Sequence, residues 1–95
     1  MAATIDEITV NYEEDGLLVV RELDKVIMSR GAWTTIIFRY QQWDKKKADY
    51  SHDLFTIRRY RKLKGNYIQQ SKFNISSSEQ ARKVVTALEG WLNKN

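Results

Sequence analysis

Cysteine is missing from all 95 residues, which removes disulfides and thiolate metal sites from consideration. Histidine occurs once, as His52, and the chain has neither a glycine-rich phosphate loop nor a nucleophile elbow. Asp44, Asp49, His52 and Asp53 fall close together, yet their spacing matches no cation-binding pattern and no glycine makes the turn a calcium loop needs. No catalytic residue, cofactor or metal is therefore expected, and the protein reads as a non-enzymatic binding module. No apolar run approaches the roughly 20 residues of a membrane span. The start of the chain has neither the basic nor the apolar part of a secretory signal. The expectation is a cytoplasmic protein with no membrane or small-molecule partner.

What is present fits one small folded domain spanning residues 1–95. With 42% hydrophobic and 29% charged residues, the chain has enough apolar side chains to offset the entropy of folding, and its length allows a single core. The net charge of +4 understates a polarised chain. Residues 1–24 carry seven acids against Arg21, a net of −6, whereas residues 25–75 carry twelve bases against three acids, a net of +9. Such a division suggests a polyanionic partner for the middle and a separate, self-shielding role for the acidic start.

Within that basic middle, Trp33 to Trp43 and Phe55 to Lys62 interleave aromatic and cationic side chains on segments that read as strands. Ile36, Phe38 and Tyr40 share one parity, and Thr35, Ile37, Arg39, Gln41 and Trp43 the other. In the second run, Thr56, Arg58, Tyr60 and Lys62 alternate with Phe55 and Ile57. Arg59 and Arg61 break that pattern, through a bulge or because the strand outruns its cover. Cations that follow phosphates and rings that stack on bases are the equipment for single-stranded nucleic acid.

Asp15-Gly16 and Lys64-Gly65-Asn66 signal turns. Leu17 to Met28 reads as a strand, although Val19, Val20, Leu23, Val26 and Ile27 also fit a helical period that Gly31 would cap. A polar loop over 44–53 precedes strands over 54–62 and 67–75. Ser76-Ser77-Ser78-Glu79 matches a capping box, after which Ala81, Val84, Val85, Leu88, Trp91 and Leu92 recur on one helical face. The expected fold class is α+β: a curved antiparallel sheet of about four strands followed by one C-terminal amphipathic helix, ββββα over 17–92. Residues 1–16 form an acidic leader, flexible or adding a strand.

The run Thr56-Ile57-Arg58-Arg59-Tyr60, then a turn, Lys72-Phe73-Asn74-Ile75-Ser76 and a helix opening with Glu79-Gln80, resembles the single-stranded-DNA-binding domain of the transcriptional coactivators called positive cofactor four and their bacterial relatives. The chain departs from that pattern in having Phe73 where relatives tend to carry glycine, and Arg61 where a tryptophan can stand. The resemblance implies a dimer formed through the helix and sheet, with Arg58 and Lys72 facing phosphates and Tyr60 on the same exposed face. The candidate nucleic-acid-binding set is Arg30, Trp33, Arg39, Trp43, Lys45, Lys46, Lys47, Arg58, Tyr60, Lys62 and Lys72. The candidate dimer interface is Val84, Val85, Leu88, Trp91 and Leu92. Lys45, Lys46 and Lys47 have the plainer reading of a solvated loop, and Trp91 reads as a helix residue in the core or at a dimer interface and not as a stacking platform. The expected function is binding of single-stranded DNA, with RNA as a related target, during transcription or replication and with little sequence specificity. The alternative is a regulatory module whose basic sheet docks an acidic protein.

Overall fold

A computed structural model describes residues 2–94. Its strands are β1 (Tyr12–Glu14), β2 (Leu17–Ser29), β3 (Trp33–Asp44), β4 (Asp49–Tyr50), β5 (Leu54–Leu63) and β6 (Asn66–Ile75), and a helix, α1 (Ser78–Leu92), follows. They form one curled antiparallel sheet in the order β1-β2-β3-β5-β6, with β4 paired to the end of β3. Four long strands match the expected count, and the two short ones are additions at the margins.

Two hairpins are set by local chemistry. At Asp15-Gly16 and Lys64-Gly65 both residues have positive φ, 49° and 81° in the first pair and 51° and 82° in the second. That is the type I′ geometry whose twist matches antiparallel strands, and glycine supplies the second position without steric cost. Glu14 then pairs with Leu17, and Leu63 with Asn66.

Residues 17–29 are strand throughout, which settles the choice between strand and helix. The helix-like spacing has a local cause: the register of β2 against β3 shifts between Glu22 and Asp24. Leu23 is the extra residue, so Val20 and Glu22 lie on the same face as Lys25 and Ile27 beyond it. A bulge that switches parity mid-strand disguises the period of two.

The sheet's two faces are unequally covered. One carries Thr34, Ile36, Phe38 and Tyr40 of β3 with Thr56 and Tyr60 of β5, all buried, and Ile36 and Phe38 fully so. The cover over this face is the N-terminal segment itself. After a short 3-10 turn at Ile5–Glu7, Ile8 and Val10 enter the cluster formed by Ile36, Phe38, Tyr40 and Tyr60. The leader is thus an integral part of the core and not an appendage to a core starting at residue 17.

The opposite face is open. Val26, Ile37, Ile57 and Phe73 are successive register partners across β2, β3, β5 and β6, an apolar row in which Val26 and Phe73 remain 58% and 57% exposed. The helix does not close over this row as expected. Ser77, the N-cap, accepts from the Gln80 amide at 3.0 Å while Gln80 Oε1 accepts from the Ser76 amide at 2.9 Å, so the cap sits one residue later than the capping box predicts. From there Ala81 and Val85 border a groove with Phe55, and Ile75 is buried nearby. No residue of α1 is itself buried. Only the first turns meet the sheet, because a two-residue link from β6 launches the helix away from the apolar row.

The result is a slab of 53 × 39 × 17 Å with a radius of gyration of 15.3 Å, against about 12 Å for a compact chain of this length. It exposes 7018 Å², where a folded monomer of its mass would expose about 5,700 Å².

Candidate nucleic-acid interface

Register decides which candidate residues share a face, and it divides them. Arg58 lies opposite Ile36 on β3 and opposite Lys72 on β6, and Tyr60 lies opposite Thr34. Arg58, Tyr60, Lys62 and Lys72 therefore share the face that holds Ile36 and Phe38. Trp33, Arg39 and Trp43 project from the other face with Ile37. Arg30 is exposed in the β2–β3 connection, and Lys45, Lys46 and Lys47 are exposed in the turn after β3. No single surface gathers all eleven.

On the covered face, Arg58 and Lys72 form a directly opposed pair of like charges, an arrangement that costs stability unless an anion intervenes. The Arg58 guanidinium donates through Nη1 to Gln69 Oε1 at 3.0 Å, and Lys72 is exposed. Neither meets a carboxylate. Among the described residues the ion pairs are Arg39–Asp53 at 3.1 Å and Lys83–Glu79 at 3.7 Å, so most of the sixteen Lys and Arg side chains are uncompensated.

Tyr60 departs from expectation: it is 6% exposed, buried under the N-terminal segment with which it lines a pocket of Ala2, Glu7, Ile8, Thr9 and Tyr67. Burial pushes its phenol above the ordinary value, partly countered by the Arg58 charge. The phenol therefore stays neutral at neutral pH. Tyr67 extends the aromatic patch toward the chain's turn, with Lys62 Nζ 5.6 Å from the centre of its ring. Lys25, which no motif singled out, also belongs to this face: its ammonium donates to the backbone carbonyls of Asp6 at 2.9 Å and Ile8 at 2.6 Å. Only the β2 bulge puts it there, and a sequence read with unbroken alternation misses it.

The open face holds a different kind of cluster. Arg59 and Arg61 lie over the Trp33 ring at 4.6 and 5.3 Å, which explains the arginines that break the β5 pattern: they belong to the opposite face and stack on an indole of the neighbouring strand. Arg39 is tied to Asp53, and Gln41 joins Asp53 to Arg21 through hydrogen bonds of 2.6 to 3.0 Å. Trp43 meets the edge of Tyr50, with ring centres 5.1 Å apart, and is half-buried there. That ring is committed to packing, so Trp43 is not a free stacking platform. His52, the one histidine, donates through Nε2 to the Ser76 carbonyl at 3.1 Å and fastens the β4–β5 link to the start of the helix.

The candidate dimer-interface residues Val85, Leu88, Trp91 and Leu92 are 49 to 78% exposed, and Val84 is half-buried. No helix is long and apolar enough to cross a membrane among the described residues. Comparison with family models, curated proteins and solved structures gives no match for this chain.

Proposed function

We propose that the protein is a non-enzymatic, dimeric single-stranded-DNA-binding protein that holds unpaired strands exposed during transcription or replication. The observation that carries this reading is the uncompensated Arg58–Lys72 pair beside Tyr60 on one sheet face. Two opposed cations without a carboxylate gain most from a ligand with regularly spaced negative charge, and the half-buried ring of Tyr67 on the same face favours one whose bases are free to stack. Arg58, Lys72 and Tyr60 also carry the resemblance to the positive cofactor four domain. Contacts of this kind read backbone and π-face, so sequence preference is slight and RNA is a related target.

The dimer half of the proposal is supported by surface. The excess of about 1,300 Å² over a compact monomer exceeds the roughly 800 Å² each partner buries in a standard interface. The exposed apolar side chains include Val26 and Phe73 of the sheet and Val85, Leu88 and Trp91 of the helix. A second copy related by a twofold axis covers both at once.

Anisotropy of a labelled oligo-dT, compared with duplex of equal length at low and high salt, tests the reading. The expected result is saturable binding that prefers the single strand and weakens by roughly 0.7 logarithmic units per phosphate contact for each tenfold rise in salt. A flat response at both salt concentrations removes the nucleic-acid reading and leaves the acidic-protein alternative.

A further inference from the structure

We infer that residues 2–10 form a displaceable strap that occupies the nucleic-acid face and is expelled when a single strand binds; this regulation rests on the function proposed above. The strap covers the centre of that face, with Ile8 and Val10 buried at 3% and 6% exposure against Tyr60, Tyr40, Phe38 and Ile36. Beyond these two side chains its polar attachment is sparse. Its ladder contact with the sheet is the isolated bridge between Ala2 and Tyr67, where the Tyr67 amide donates to the Ala2 carbonyl at 2.8 Å. Beyond this, Lys25 Nζ donates to the carbonyls of Asp6 and Ile8, and the Thr9 hydroxyl donates to Glu22 at 2.7 Å.

These contacts are of a kind that a nucleic acid can replace. An ammonium satisfied by two backbone carbonyls gains a stronger, charge-assisted partner in a phosphate. The strap's own charges are Asp6 and Glu7, both exposed, so it brings negative charge to a cationic face as the ligand does. The acidic start of the chain thus competes in cis for the basic middle. Binding then reads the fraction of molecules with the strap open, and apparent affinity falls in proportion as that fraction falls.

The test exploits the absence of cysteine. Ala2→Cys with Tyr67→Cys places two thiols at facing positions of an antiparallel bridge, within reach of a disulfide, and one protein is then compared oxidised and reduced. The oxidised form, with the strap locked, is expected to bind labelled oligo-dT at least about tenfold more weakly than its reduced form. Ile8→Asp, which weakens the strap without touching Arg58 or Lys72, should bind more tightly than wild type. Hydrogen exchange on wild type should show the Tyr67 amide losing protection when oligo-dT is added. Equal binding by oxidised and reduced forms, or gain of protection at Tyr67 on binding, overturns the strap while the proposed function stands. Absence of binding by wild type, by the reduced form and by Ile8→Asp overturns the function and the strap together.

Discussion

The two faces of this sheet are made by the same strands, yet they solve different problems. The covered face buries Ile36 and Phe38 completely beneath nine residues of the chain's own start, and carries its cations Lys25, Arg58 and Lys72 around that small core. The open face has an apolar row from Val26 to Phe73, a Trp33 clamped by two arginines, and a helix whose apolar side stays in solvent. One face is finished within the chain and the other is not. Apolar residues alone therefore do not mark the interior of a small sheet protein. The difference lies in whether the same chain has a segment to spare as a cover.

This contrast can be broken by substitutions matched across it. The largest effect is expected for Phe38→Ala, which empties a fully buried position and should cost about 3–5 kcal/mol in urea unfolding, independent of protein concentration. Phe73→Ala, with the same chemistry on the open face, should leave the unfolding of dilute protein within about 0.5 kcal/mol of wild type. It should instead weaken self-association, seen as a loss of the concentration dependence of Tm. Leu88→Asp should convert the proposed dimer to monomer in sedimentation equilibrium while the thermal transition of dilute protein persists. A wild-type chain that sediments as a stable monomer at high micromolar concentration removes the dimer outright. A smaller effect concerns acid. The Thr4 hydroxyl and amide donate to Glu7 Oε1 at 2.9 and 3.0 Å and hold its carboxyl below the ordinary value of 4.5. With the folded value lowered, this stabilisation is present above about pH 4.5 and lost as pH falls through the lowered value. Amides of the 3-10 turn should then show lower protection in acid, measured against their intrinsic exchange rates, a pH dependence that Glu7→Gln abolishes.

How much of this was legible in the sequence follows from what each signal depends on. The turns at Asp15-Gly16 and Lys64-Gly65 and the helix from Ser78 were readable because a few adjacent residues determine them. Parity within β3 and β5 was also correct: Thr56, Arg58 and Tyr60 do share a face. Which face was not readable, since it depends on the register of β5 against β3, and a one-residue difference exchanges the two sides. Tyr60 was consequently expected in solvent and lies in the core. The bulge at Leu23 concealed Lys25, and the leader's two buried side chains, Ile8 and Val10, alternate with Thr9 and Asn11 over too short a run to stand out beside the acidic residues around it. The stacking of Arg59 and Arg61 on Trp33 joins residues far apart in sequence, so no local pattern could announce it.

The central claim is that single-stranded DNA is held by the face of Arg58 and Lys72 and not by that of Arg59 and Arg61. Because Trp33 and Trp43 lie on the open side, tryptophan emission is a poor reporter, and anisotropy of a labelled oligo-dT across a salt series is the direct measurement. Arg58→Ala with Lys72→Ala should weaken binding and flatten the salt slope by about 1.4, two phosphate contacts at roughly 0.7 each, whereas Arg59→Ala with Arg61→Ala, equal in charge removed, should leave the slope near that of wild type. The opposite ranking, or equal losses from the two pairs, would contradict the account.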